Sequence, residues 1–127
     1  MKILVVDDDR GTLNALTAYL TSAGYQVVAA KDGYQALGAL EASTQGAEAI
    51  DVMVTDLRMP GMTGLELIRR ARGKKPELPS ILMTAYGDDS IRWQAMALRA
   101  GRYLEKPFHP EDLLTRIEDA ARWRGGA

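Results

Sequence analysis

The sequence predicts a single α/β domain, a doubly wound (βα)5 unit whose parallel sheet carries helices on both faces. Three observations lead there. Five short apolar runs alternate with five longer stretches of helical periodicity, the pattern of parallel strands joined by crossover helices. At 127 residues the chain is the size of one domain, so no second core is expected. Polar residues stand at the carboxyl ends of four of the five runs, where an open parallel sheet places its ligand crevice.

The elements follow in chain order. Ile3 to Val6 is the first strand, and Leu13, Leu16 and Leu20 give the helix behind it an apolar stripe. Gly24 stands just past that helix, where a left-handed C-terminal residue is easiest for glycine. The second strand is Gln26 to Ala30, followed by a helix marked by Ala36, Leu37 and Leu40. Ile50 to Thr55 is the third strand; Leu65 and Ile68 mark the third helix, and Gly73 its end. Ser80 to Thr84 is the fourth strand, with Ile91, Ala95 and Leu98 on the helix after it. Arg102 to Glu105 is the fifth, and Leu113, Ile117 and Ala120 mark the last helix. The first, third and fourth strands are almost continuously apolar, as interior strands are, while the fifth is polar enough for an edge. Residues 1–122 are assigned to the domain and 123–127 to a tail or the start of a linker.

Composition narrows the function. With 46% hydrophobic residues, 26% charged residues and a net charge of -1, this is an ordinary globular composition, neither disordered nor nucleic-acid-coating. The absence of cysteine excludes disulfides, thiolate zinc sites and cysteine nucleophiles. The apolar run Ile3 to Val6 is far too short for a membrane span or signal-peptide core, so a cytoplasmic protein without a membrane partner is expected. Arg92, Arg99 and Arg102 near Trp93 are too few for a nucleic-acid face and fit a protein partner better.

The first strand ends at Asp7-Asp8-Asp9, the third at Asp56 and the fourth at Thr84, and the fifth runs into Lys106. Carboxylates gathered in one crevice repel, and a hard divalent cation removes that penalty. Magnesium suits the set, because it uses one or two protein carboxylates, keeps waters and takes phosphate oxygens as its other ligands. Lys106 would add a mobile positive charge to the same phosphate and Thr84 a hydroxyl hydrogen bond. Phosphoryl transfer needs little beyond such positioning and charge neutralisation, with one carboxylate as acceptor.

The segments "ILVVDDD", "VTDLRMPGMTGLEL", "ILMTAY" and "YLEKPF" resemble the four signature segments of the response-regulator receiver family, in the family's order and over nearly the whole chain. That resemblance implies a CheY-like fold with strand order 2-1-3-4-5 and a two-component signalling switch. It implies that Asp56 is the phosphoacceptor, that Asp8 and Asp56 are side-chain magnesium ligands, that Asp7 holds the ion through water, and that Arg58 contributes its backbone carbonyl. It further implies that Thr84 and Tyr103 are switch residues, that Lys106 pairs with the phosphate, that Arg58 and Tyr86 tune the lifetime of the phosphoryl group, and that Lys106-Pro107 is cis. The implied partners are a sensor histidine kinase or phosphotransfer protein, and a downstream effector or a C-terminal output domain outside this segment. The signal would leave through the fourth helix, the fifth strand and the fifth helix. One departure stands out: the loop after Gly101 is about two residues shorter than the family pattern.

Other readings attach to the same residues. Asp7 and Asp9 form the D-x-D pair of a haloacid-dehalogenase-type phosphatase, a reading that leaves Asp56 without a role. A receiver reduced to a scaffold would lack one of Asp8, Asp56, Thr84 and Lys106, and all four are present. Asp9 fits an N-cap of the first helix better than a metal ligand. His109 fits a helix start, Tyr103 by packing alone a half-buried strand aromatic, and Met53, Met59, Met62, Met83 and Met96 core or loop filling.

Overall fold

A computed structural model describes residues 1–43, 49–85, 89–97 and 102–122. The chain runs β1 (Lys2–Val6), α1 (Arg10–Ser22), β2 (Gln26–Ala30), α2 (Gly33–Ala42), β3 (Val52–Asp56), α3 (Gly64–Lys74), β4 (Ser80–Thr84), α4 (Asp89–Ala97), β5 (Arg102–Glu105) and α5 (Pro110–Arg122). All strand pairs are parallel and the sheet order is β2-β1-β3-β4-β5, with β5 at an edge.

Alternation along the strands divides the core in two, because successive side chains leave opposite faces of a sheet. Leu4, Val6, Met53 and Leu82 meet Ala36 and Leu40 of α2, Leu67, Ile68 and Ala71 of α3 and Ala95 of α4 on one face. Ile3, Val5, Val52, Val54, Ile81 and Met83 meet Leu16 and Leu20 of α1 and Leu113, Ile117 and Ala120 of α5 on the other. With both faces covered, the strands' polar chemistry is confined to their ends.

Several local expectations change. The third strand begins at Val52 rather than Ile50, because the Asp51 N–H and carboxylate are engaged with the backbone of Lys2, at 2.9 Å each. It also extends one residue further than expected, so that Asp56 is held in the ladder opposite Met83. Gly73 does not end the third helix. The helix runs to Lys74 and its final turn is closed by Lys75 N–H donating to the Ala71 carbonyl at 2.8 Å, so no left-handed residue is needed. Gly24 does take the left-handed conformation, with φ of 100°, after α1. Met53, Met59, Met62 and Met83 are buried, but Met96 is not: Ala95 occupies the inward position of α4, which turns the next residue toward solvent beside exposed Trp93. Among the described residues no helix is long and apolar enough to cross a membrane.

Candidate functional site

The cleft is built from the ends of four strands. After β1, the backbone N–H of Asp7 donates to the Ala30 carbonyl of β2 at 3.1 Å, which seats its side chain under the sheet end, 1% exposed. Asp8 follows on the solvent side. Asp9 turns away to cap α1, its carboxylate accepting from the Thr12 N–H at 2.9 Å and the Thr12 hydroxyl at 2.6 Å. These two bonds, the hydroxyl first, hold the Asp9 carboxyl below the ordinary range.

Asp56 ends β3 and Thr84, fully buried, ends β4. The Thr84 carbonyl accepts from Lys106 N–H at 2.9 Å, which fixes where the chain leaves β5. The Lys106-Pro107 bond is cis, as the resemblance implies. Lys106 Nζ then lies 3.1 Å from Asp7 Oδ2 and 3.1 Å from Asp56 Oδ1, bridging strands that are neighbours only in space.

Behind Asp56 the packing is tight. Its carbonyl accepts from the Thr55 hydroxyl at 2.9 Å, and a Cβ at Gly64 would stand 2.2 Å from that same carbonyl oxygen and 2.9 Å from Leu82 Cδ1. Only glycine lets α3 approach so closely. The connecting loop is fixed at its start by Leu57 N–H donating to Met83 at 2.9 Å, and it closes with Gly64 N–H donating to the Leu57 carbonyl at 2.8 Å. Within it Gly61 is left-handed (φ 81°), and Thr63 caps α3 by accepting from Glu66 N–H at 3.2 Å. Arg58 lies in this loop with its side chain exposed.

Burial pushes the Asp56 carboxyl up, the hydrogen bond from Lys106 opposes it, and the charges of Asp7 and Asp8 push the same way as burial. Lys106 also titrates above its ordinary value: burial works against its charge, but the hydrogen bonds to Asp7 and Asp56 outweigh it. Asp7, Asp8 and Asp56 can each bring one oxygen to within 4.8 Å of the others. Those three carboxylates against one ammonium leave the cleft with two negative charges in excess. All-oxygen donors, an excess charge of two and a gradient from buried Asp7 to exposed Asp8 fit a hard divalent cation that keeps part of its water.

At the far side of β4, Tyr103 sits half-buried in β5. The guanidinium of Arg92 on α4 lies over its ring at 5.4 Å and donates to Glu105 Oε1 at 3.0 Å. Neither this clamp nor the Gly64 contact is visible in the sequence: Arg92 and Glu105 are 13 residues apart with no periodic relation, and only the fold brings Gly64 onto Asp56. Tyr86, Arg99 and the shortened loop at Gly101 lie outside the described residues. Asp7, Asp8, Asp56 and Lys106 are thus brought together, with Thr84 tied to Lys106 through its backbone, while Asp9 is committed elsewhere.

A sequence model of the response regulator receiver domain matches residues 3–118. The transcriptional regulatory protein FixJ of Bradyrhizobium diazoefficiens is 38% identical over 120 residues, covering 94% of this chain and 56% of the relative. The response regulator MprA of Mycobacterium tuberculosis is 38% identical over 122 residues, covering 96% of this chain and 51% of the relative. The chain therefore spans about half the length of these curated relatives. Among solved structures, a CheY-like receiver domain from Methanospirillum hungatei superimposes with a TM-score of 0.86 at 27% identity, over 95% of this chain and 93% of that one. The chemotaxis protein CheY4 of Vibrio cholerae gives 0.84 at 30% identity, over 94% of this chain and 97% of that one.

Proposed function

The chain belongs to the response regulator receiver domain family of two-component systems, and from that premise we propose that it is a switch thrown by phosphorylation of Asp56. The observation that carries this reading is the lysine bridge, Lys106 Nζ at 3.1 Å from both Asp7 and Asp56 in a cleft that keeps an excess of negative charge. An ammonium so placed is ready to exchange a carboxylate for a phosphoryl oxygen.

Asp8 and Asp56 would hold magnesium directly, Asp7 through water and Arg58 through its backbone carbonyl; the ion's contribution is to neutralise charge on the phosphoryl oxygens. The remaining work falls to the chain. The free carboxylate oxygen of Asp56 attacks phosphorus, the bond from phosphorus to the donor breaks, and the leaving group departs with that electron pair. Gly64 and Thr55 hold the Asp56 backbone while this happens, so the attacking oxygen is presented without rearrangement. Lys106 pairs with one phosphoryl oxygen and the Thr84 hydroxyl donates to another. The donor is a sensor histidine kinase, a phosphotransfer protein or a small phosphodonor in the cytoplasm. The recipient of the signal is an effector protein or a C-terminal output domain joined through residues 123–127, and Arg58 and Tyr86 tune how long the phosphoryl group lasts.

Incubation with acetyl phosphate and magnesium should add one phosphoryl group, seen by intact-mass spectrometry, that requires the metal and disappears in Asp56→Asn. Retention of the modification in that variant refutes the assignment. Mapping it to Asp7 would instead favour the phosphatase reading.

A further inference from the structure

We propose that Tyr34 is a positioning residue for the phosphoryl site, bracing the loop between Asp56 and α3 and, through it, the Arg58 carbonyl. The brace stands on a fixed base. In the first turn of α2, Asp32 accepts from Gln35 N–H at 2.8 Å while the Gln35 side chain accepts from Lys31 N–H, one residue before the cap, at 2.9 Å, and the two bonds leave this turn little freedom. Two consecutive residues reach the loop from that turn. Gly33 admits Met62 so closely that a Cβ there would stand 2.6 Å from its sulfur, and Met62 is 2% exposed. Tyr34 lays its ring on Gly61, where a Cβ would stand 3.1 Å from Cε2, and its hydroxyl donates to the Gly61 carbonyl at 3.5 Å.

The Gly33–Met62 approach is closer than a Cβ allows without a shift, the Tyr34–Gly61 approach is tight, and Gly61 needs glycine for its positive φ. The loop is thereby pinned from outside by α2 between its two hydrogen-bonded ends at Leu57 and Gly64. Tyr34 is 58% exposed, so its ring adds little to the core and its contact with the loop is the main consequence of having an aromatic there. The corner at which β2 hands over to α2 also receives the Asp7 N–H on Ala30, so one corner steadies the cleft from two sides. A loop held this way presents a backbone carbonyl in fixed geometry, as residues behind direct metal ligands do.

This inference rests on the proposed magnesium site with the Arg58 carbonyl as a ligand. The test is magnesium titration followed by amide chemical shifts, together with amide hydrogen exchange, on wild type, Tyr34→Ala, Tyr34→Phe and Asp8→Asn. The hydroxyl contact is long, so Tyr34→Phe should match wild type within about twofold. Tyr34→Ala should bind magnesium about threefold to tenfold more weakly. It should also speed exchange at Gly61 and Met62 while leaving Ile117 in α5 unchanged, a local pattern that general loss of stability would not produce. Lost affinity in Asp8→Asn with wild-type affinity in Tyr34→Ala overturns the Tyr34 proposal alone, as does a uniform rise in exchange. Wild-type affinity in Asp8→Asn overturns the magnesium site, and this proposal with it.

Discussion

Asp56 is partly buried at a strand end beside two other carboxylates, and a single ammonium contact does not offset the desolvation of its charge. Its folded-state pKa therefore lies above the value in the unfolded chain. Folding then favours the protonated form, so stability falls as pH rises through the unfolded and folded pKa values, and the ionised group destabilises the metal-free fold at neutral pH. Asp56→Asn should raise the denaturation midpoint of metal-free protein at pH 7, and the gain should fade toward about pH 3, where the carboxyl is protonated in both states. On the proposed magnesium site, added magnesium should narrow the difference, because the wild type would bind it better. Urea denaturation at the two pH values checks this; a lower midpoint for the variant at pH 7 would mean that the Lys106 pairing dominates after all. The sequence makes the position of Asp56 legible, since a carboxylate ending an apolar run points to the crevice. Its environment is legible in part: the end of the fifth strand brings Lys106 to the same crevice, but the direct Lys106 contact with Asp56 and the tight fit of Gly64 arise only when the strands pair and α3 docks.

Among the elements, β2, β4 and β5 have the bounds that the sequence predicts and the inward faces of α1, α2 and α5 are the predicted stripes, whereas β1 starts one residue earlier and β3 is shifted toward Asp56. The third helix shows where such reading stops. Gly73 resembles a terminator, yet termination depends on which carbonyls remain unpaired, and Lys75 satisfies Ala71 without any left-handed residue. A glycine inside a helix instead weakens it, through the freedom it loses on folding. A Cβ at Gly73 would meet nothing within 4 Å. Gly73→Ala should therefore stabilise the domain by about 0.5–1 kcal/mol, mostly by restricting the unfolded chain. Chemical denaturation measures this directly; a destabilised variant would show that the last turn of α3 needs glycine. The same substitution at Gly64 has the opposite expectation, because there the added carbon collides with the Asp56 carbonyl.

At the scale of the molecule, the proposed phosphoryl group on Asp56 would have to be felt across β4 and β5. It would add negative charge and acceptor oxygens within reach of Lys106, and so bias an equilibrium between two arrangements rather than create a new one. Moving that equilibrium from about 1:99 to 99:1 takes roughly 5.5 kcal/mol of differential interaction. One hydroxyl bond from Thr84, about 1.5–3 kcal/mol to a charged acceptor, cannot supply this alone. The Lys106 pairing and the neutralised charge must provide most of it, and they act from the residue that directly follows β5. The opposing restraint is modest: the Arg92–Glu105 pair is more than half exposed at both side chains, worth about 0.2–1 kcal/mol, and the stacking of Arg92 on Tyr103 adds about 0.5–1 kcal/mol. It could delay a movement of β5 against α4 but could not block one. With beryllofluoride as a phosphoryl mimic, amide shifts should therefore spread from Asp56 to Tyr103 and α4 in the wild type. Thr84→Ala should still accept the mimic but stop partway along the same line of shifts, and Lys106→Ala should stay near the unliganded position. Arg92→Ala should begin further along it before any mimic is added. Perturbations confined to the neighbourhood of Asp56 would mean that the phosphoryl site is uncoupled from the α4–β5 face, and a wild-type response in Lys106→Ala would remove the lysine from the path.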